Sequence, residues 1–249
     1  MAVTTKAYVR PRAFVRVRGP EAADFLQRML SNDVLAADHC EALLLTPKAR
    51  VIAPVVVWRR GEGDFLLLTE PELGETVRAH LTRMRIATRC EIEPEEHTST
   101  VVLGGSDGIP TRDYGVPAVE VLDAELDASP PDEELERLRI LARTPRFGAE
   151  IDDTVLPAEA GLDERAISFE KGCYPGQEPV ARLHYRGHAN RALRVLDVEG
   201  SAPGDEIRLG DRVVGRVTSS VSDVALGYVR TEVPDDTELS VGGRSAKLH

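Results

Sequence analysis

The sequence has few cysteines, and their spacing suggests neither a disulfide framework nor a zinc ribbon. Cys40, Cys90 and Cys173 are far apart in 249 residues and form no CxxC pair. Disulfide scaffolds and zinc ribbons use closely spaced sets of cysteines, so both classes are excluded and a reducing, cytoplasmic compartment is favoured. No apolar stretch reaches the roughly 18 residues that span a membrane, and arginines interrupt the apolar runs near the N-terminus. We therefore expect neither a signal peptide nor a membrane partner.

The sequence also lacks an excess of positive charge. Its 31 Lys and Arg residues against 42 Asp and Glu give a net charge of −11. No global basic field attracts a nucleic-acid backbone, so we predict no direct nucleic-acid partner and expect local patches to meet any anion. One such patch is the acid-free run of Lys6, Arg10, Arg12, Arg16 and Arg18. The run is either the solvated face of an edge strand or, if it lies beside segment 182–194, an anion funnel.

Hydrophobic periodicity predicts an α+β protein. Alternation at Ala13–Arg18 indicates a strand, and a meander of three strands follows over 42–69. Helical spacing recurs over 20–30 and 73–84, while 132–143 begins with acidic and ends with basic residues, as the helix dipole favours. Strands and helices therefore alternate through the first half of the chain.

Composition divides the chain. Segment 104–117 is rich in Gly, Asp and Pro, which predicts a loop or a break between subdomains. Beyond residue 191 the helical signals vanish, and short strands recur with tight turns at Gly210-Asp211 and Gly242-Gly243. This pattern predicts a small antiparallel barrel or sandwich over 191–249.

The most unusual segment is Ser168–Arg191, which crowds chemically active side chains around three glycines. Gly172 and Gly176 lack a Cβ and permit a ligand to approach the backbone closely, although an ordinary tight loop is equally consistent with the composition. Cys173 lies two residues from Lys171, so it is either a reactive thiolate or a small buried residue.

Cys173, His184 and His188 are the conceivable metal ligands of this segment. Gly187 interrupts the interval between the two histidines, and no carboxylate completes a site. We predict no metal.

Residues 171–178, KGCYPGQE, are similar to the motif K-G-C-Y-x-G-Q-E of the YgfZ family of folate-binding proteins, which are relatives of the glycine cleavage T-protein (aminomethyltransferase). Segments 145–150, 156–162 and 214–219 extend the resemblance. It implies two α+β lobes with ferredoxin-like elements over 1–190, with 104–117 as the candidate break between them, and a C-terminal β-barrel over 191–249. It also implies a central channel that holds tetrahydrofolate and a role in assembling or maintaining iron-sulfur clusters.

The sequence departs from the related proteins at four places. T-proteins carry a catalytic Asp where this chain reads 69–76 without an aspartate; Glu70, Glu72 or Glu75 is the substitute acid that this stretch offers. A folate-contacting Glu of the family is replaced by Leu141, and tryptophans of some members are replaced by Arg12 and Arg194.

We therefore predict a tetrahydrofolate-binding accessory protein with iron-sulfur client or assembly proteins as partners. A folate-dependent aminomethyltransferase or other one-carbon transferase is the alternative, and a folate-free scaffold that docks clients through the Cys173 loop is a third reading. Cys173 is the candidate catalytic residue. The predicted folate-contacting residues are Lys171, Tyr174, Gly176, Gln177, Glu178, Arg182, Arg186 and Arg194. Tyr174 and Gln177 suit the pterin, and the three arginines suit the anionic glutamate tail.

Overall fold

The computed structural model describes residues 6–249, which form two antiparallel sheets, a closed barrel and short helices. The helices are α1 (Ala22–Met29), α2 (Gly74–Met84), α3 (Glu133–Leu141), α4 (Asp163–Ala166) and α5 (Gln177–Arg186). The strands are β1 (Lys6–Val9), β2 (Ala13–Arg18), β3 (His39–Leu45), β4 (Val51–Gly61), β5 (Asp64–Thr69), β6 (Glu91–Glu95), β7 (Ser99–Leu103), β8 (Ile109–Thr111), β9 (Ala118–Leu122), β10 (Arg191–Asp197), β11 (Glu206–Leu209), β12 (Arg212–Val221), β13 (Val224–Arg230), β14 (Glu238–Val241) and β15 (Arg244–Leu248).

The larger sheet has five strands in the order β3-β4-β5-β2-β6. Apolar residues at helical spacing give α1 and α2 one buried side each, and Phe25, Leu26, Val77 and Leu81 pack there against the inward residues of the sheet. Each of these four side chains is at most 2% exposed. This layer of helices on one face leaves the opposite face of the sheet free to meet the rest of the molecule.

The smaller sheet has the order β1-β7-β9-β8 and is joined to the larger one by the three residues between β1 and β2. Segment 104–117, predicted as a loop or a break, contains β8, which pairs with β9 within this sheet. Helix α3 begins at Glu133 because the Asp132 carboxylate accepts a hydrogen bond from the Leu135 amide at 2.9 Å.

The basic run near the N-terminus does not occupy one edge strand. β1 is an edge strand, but β2 lies between β5 and β6, so the prediction of a solvated edge is wrong for Arg16 and Arg18. An interior strand accommodates these arginines because carboxylates on the neighbouring strands pair with them: Asp64 with Arg16 at 2.8 Å and Glu91 with Arg18 at 2.7 Å. The strand neighbours are β5 and β6 rather than segment 182–194, so the condition for an anion funnel is not met.

The C-terminal strands form a closed barrel in the order β10-β13-β12-β11-β14-β15. Alternate residues such as Leu196, Ile207 and Val229 point inward and are at most 1% exposed. Pairing of β15 with β10 closes the ring, so none of the barrel strands is left with a long free edge. The predicted α+β fold with a C-terminal antiparallel barrel is confirmed. Among the helices of residues 6–249, none is long and apolar enough to cross a membrane.

Candidate functional site

A cavity of about 230 Å³ lies where the β1–β2 connection, the loop between β8 and β9, and α3 meet the free face of the larger sheet. We term it the central cavity. Its charged lining residues are Arg10, Arg12, Glu41, Glu70, Asp113, Asp132, Glu136, Arg139, Arg146 and Arg165. Tyr114 and a set of aliphatic side chains, including Leu43, Val55 and Leu68, supply its apolar surface.

Arginines of the β1–β2 connection form one wall through ion pairs. Arg12 is bidentate to Glu120, with both N–O distances 3.1 Å, and Arg10 pairs with Asp113 at 2.5 Å. Burial alone would raise the pKa of Glu120, but the charges of Arg12 and Arg10 outweigh that effect and lower the pKa to about 2. The same balance holds the pKa of Asp113 far below its usual value, so both carboxyl groups are ionised at neutral pH.

One donor of this wall is left without a hydrogen bond. Nη1 of Arg10 is buried and forms none within residues 6–249, although it lies 3.3 Å from an oxygen of Glu120. A buried guanidinium donor in that state is costly unless a further acceptor reaches it.

Arginines from α3 and α4 form the opposite wall. Arg165 binds Glu41 at 2.5 Å and Asp113 at 2.6 Å, which ties α4 to β3 and to the smaller sheet. Arg139 donates to Glu150 at 3.1 Å, and the Glu150 side chain is 0% exposed. A buried charge in such a position requires full pairing, which the structure supplies.

Glu150 also connects the cavity wall to the barrel. Ser219 on β12 donates to its carboxylate at 2.6 Å, and Tyr228 on β13 donates to its backbone carbonyl at 2.7 Å. The amide of Arg146 donates to the same carboxylate at 3.0 Å. The arginine side of the cavity is therefore held against two barrel strands.

Of the three glutamates considered as substitute acids, one lines the cavity. Glu70 follows β5 directly, and its closest ion-pair partner is Arg12 at 3.7 Å. Glu72 is exposed, and Glu75 is exposed and paired with Arg78 at 2.7 Å. Leu141 is partly buried and packs against the apolar core between the larger sheet and the barrel.

The KGCYPGQE segment is anchored by three of its residues. Lys171 Nζ donates to the carbonyls of Leu30 and Asn32 at 2.7 and 2.8 Å, and burial lowers its pKa to about 8. Tyr174 is 7% exposed in the apolar core, where burial raises its pKa to about 12. Gly176 has φ +84°, and a Cβ there would lie 2.6 Å from the Thr46 carbonyl oxygen. These contacts fix the segment on the residues that follow α1, on β3 and on the β3–β4 turn.

Cys173 is the exposed cysteine of the three. The neighbouring ammonium of Lys171 is hydrogen-bonded to backbone carbonyls, and its charge acts on Cys40 and Asp33. Burial raises the pKa of Cys40 to about 12 and also raises the pKa of the buried Cys90. Both of these thiols are therefore protonated at neutral pH, and Cys173 is the one open to solvent.

The remaining predicted residues are divided between α5 and the barrel. Gln177 and Glu178 form the first turn of α5, and Arg182 and Arg186 lie in its second half, beside a separate groove. Arg194 is on β10 and pairs with Asp235 at 2.5 Å. None of the eight predicted residues lines the central cavity, and their assignment to folate stays a prediction.

Sequence reasoning did not identify most of the cavity residues, because they come from distant parts of the chain. The sequence contained one indication of the arginine wall, at the partner of Arg12: Glu120 lies in the otherwise apolar strand AVEVL and is 2% exposed. A buried charge at such a position needs a partner, and Arg10-Pro11-Arg12 supplied the cations. No group of three or more His, Cys, Asp or Glu suited to a metal occurs within residues 6–249.

Comparison with known proteins matches both the barrel and the whole chain. Residues 190–249 match the CAF17 C-terminal beta-barrel domain. The iron-sulfur cluster assembly factor IBA57 homolog of Neurospora crassa is 27% identical over 237 residues, which cover 77% of this chain and 54% of that protein. The match thus spans about half the length of this relative.

Two further proteins complete the comparison. The tRNA-modifying protein YgfZ of Vibrio vulnificus is 33% identical over 124 residues, which cover 44% of this chain and 38% of that protein. The crystal structure of the glycine cleavage system aminomethyltransferase T from Bartonella henselae superimposes with a TM-score of 0.82 at 18% identity, covering 98% of this chain and 85% of that one. The chain thus has the aminomethyltransferase T fold and is similar to YgfZ and IBA57 proteins, which confirms the resemblance that KGCYPGQE indicated.

Proposed function

We propose that this protein is a tetrahydrofolate-binding accessory factor in the assembly or repair of iron-sulfur clusters. The observation that carries the proposal is similarity, over 77% of the chain, to a relative named as an iron-sulfur cluster assembly factor. The aminomethyltransferase T fold supports the folate-binding part of the proposal, because it forms a cavity between the two sheets whose polar groups can be compared with those of a folate.

The polar groups of the central cavity fit a pterin ring. The ring presents adjacent N–H donors and a carbonyl oxygen, which a carboxylate and a guanidinium recognise. Within the described residues the Glu70 carboxylate accepts no hydrogen bond, and Arg10 Nη1 donates none. Glu70 is therefore an acceptor that the cavity leaves open, and we assign the N–H donors of the ring to it.

The size of the cavity fits the ring rather than the whole ligand. Its volume of about 230 Å³ is below the roughly 300–1,000 Å³ of pockets that enclose drug-sized ligands. We therefore place the glutamate tail at the mouth, where the Arg146 side chain is 50% exposed and has a single 3.5 Å ion pair.

The residues favour binding over group transfer. Segment 69–76 contains no aspartate, so we expect no aminomethyl transfer. One observation supports the alternative of a one-carbon transferase instead: the carboxyl group of Glu70 lies in the cavity, where a general acid would be needed. Release of formaldehyde or ammonia from a methylamine donor in the presence of tetrahydrofolate would establish that alternative in place of ours.

Calorimetric titration with tetrahydrofolate tests the ligand. We expect one site that weakens as salt rises, since the tail is anionic. Glu70→Gln should weaken binding by about 10-fold or more, because a hydrogen bond to a charged group contributes roughly 1.5–3 kcal/mol. Glu72→Gln makes the same change two residues away on the exposed surface and should bind like the wild type. Absence of heat at low salt would refute the folate assignment.

Complementation tests the accessory role. Cys173 presents the exposed thiol that a client protein can reach, so Cys173→Ala should fold normally and fail to sustain iron-sulfur enzymes in cells that lack the native gene. Growth equal to that of wild type would show that client recognition does not depend on this thiol.

A further inference from the structure

A second groove lies between α5, the β3–β4 turn and segment 156–158, and we term it the α5 groove. Its volume is about 460 Å³, and it shares no lining residue with the central cavity. Aliphatic side chains form most of its surface: Leu156, Pro157, Val180 and Leu183. The groove is therefore an independent site of ligand size.

Four cations surround this apolar surface. Lys48 and Arg50 come from the β3–β4 turn, and Arg182 and Arg186 are one turn apart on α5. None of the four forms an ion pair within residues 6–249, although every arginine that lines the central cavity does. Asp163 is the single carboxylate among the lining residues, so the groove has an excess of three positive charges in a protein of net charge −11.

Aromatic rings form one side of the groove. Phe169 and His184 line it and are stacked, with centroids 3.9 Å apart and planes at 20°. Tyr185 packs edge-on against His184 at 4.9 Å and against Phe169 at 6.0 Å, yet it is 68% exposed. A large ring held by its neighbours and open to solvent offers a free face for stacking.

We infer that the α5 groove binds a nucleotide, with the base against the apolar and aromatic surface and its phosphate groups, or those of its neighbours in a strand, on the four cations. Phosphate oxygens accept hydrogen bonds from several cations at once, and arginine matches them bidentately. An acidic peptide would use the cations but has no planar group for the rings. The nucleotide is either free or part of a single RNA strand; in a strand, Tyr185 would stack the next base.

Fluorescence anisotropy with a labelled single-stranded RNA octamer, and competition with ATP, tests the site. Neutralising four phosphates of a single strand predicts a slope of log K against log salt of about −3. Arg182→Gln and Arg186→Gln should each weaken binding and reduce the slope by about 0.7. Arg230→Gln removes one exposed, unpaired charge of the described chain outside the groove and should leave the slope and affinity unchanged.

Two comparisons distinguish a free nucleotide from an RNA strand as the natural ligand. If the natural ligand is a strand, the octamer binds more tightly than ATP, and Tyr185→Leu weakens it by roughly 5-fold or more. If it is free, ATP binds at least as tightly as the octamer and Tyr185→Leu leaves ATP binding intact. Both results support a nucleotide site.

Four results would overturn the inference. These are no binding of either probe at 50 mM salt, equal competition by poly-glutamate, displacement of the RNA by tetrahydrofolate, and indifference of binding to both α5 arginine variants. Tetrahydrofolate titrations of the same variants keep the two proposals separate, since Arg182 and Arg186 lie outside the central cavity.

Discussion

Replacing Gly176 by alanine is expected to destabilise the folded protein substantially. At φ +84° an L-residue incurs a cost of about 1–2 kcal/mol. The new Cβ would also lie 2.6 Å from the Thr46 carbonyl oxygen and 3.2 Å from the Ala49 Cα, and overpacking of this kind costs about 1–3 kcal/mol. A combined loss near 3 kcal/mol corresponds to a melting temperature lower by roughly 6–12 °C for a chain of this size.

Gly172 provides the matched control within the same motif. Its φ is outside the positive region, and an added Cβ would meet nothing within 4 Å, so Gly172→Ala should melt within about 1 °C of the wild type. Calorimetric melts of the three proteins, with tetrahydrofolate affinity measured alongside, check both expectations. If Gly176→Ala melts like the wild type and loses only ligand affinity, this glycine serves ligand approach, and our packing explanation is refuted.

Three further outcomes follow from the structure. Alkylation of the native protein with iodoacetamide should modify Cys173 ahead of Cys40 and Cys90, as peptide mass spectrometry would show; equal labelling before unfolding would contradict the assigned burial. The folded-state pKa of Lys171, about 8, lies below its usual 10.5, so between these pH values the unfolded chain binds more protons and stability rises with pH. Between urea melts at pH 7.5 and at pH 10, the free energy of unfolding of the wild type should therefore rise by about 1–2 kcal/mol relative to that of Lys171→Met, after allowance for partial exposure. The absence of such a rise would count against the desolvation of Lys171. Glu150→Gln should lower the free energy of unfolding by about 3 kcal/mol in urea titrations, because it leaves buried cationic and hydroxyl donors without their anion; a loss below about 1 kcal/mol would show that the barrel contact is dispensable.

Elements with a regular apolar pattern could be predicted from the sequence. β2 has the predicted bounds because its alternation of apolar and charged residues is complete, and the charge asymmetry of segment 132–143 identified α3. Helix α5 is not among the predicted helices. It buries only Val180 fully, so no apolar stripe marks it. Two residues could have indicated this helix: the proline in its first turn and Gly187 directly after its end. Both residue types are common at helix boundaries.

The candidate site was less predictable than the fold. The KGCYPGQE motif predicted site residues that mainly hold the segment in place. A short motif gives the residue types but not the positions of their side chains. The central cavity depends on Arg12 meeting Glu120 and on Arg165 meeting Asp113, pairs that are 108 and 52 residues apart. Such pairs form only when two sheets assemble, and local periodicity carries no information on that assembly.

Glu150 links the cavity wall to the barrel by hydrogen bonds on both sides. Its carboxylate is shared by Arg139 of the cavity wall and Ser219 of the barrel, and its carbonyl is held by Tyr228. If Arg139 turned to a bound anion, the carboxylate would keep the Ser219 hydroxyl and the Arg146 amide as its donors. Anion binding at Arg139 should therefore change the local opening free energy of β12 and β13, which amide hydrogen exchange of these strands would measure.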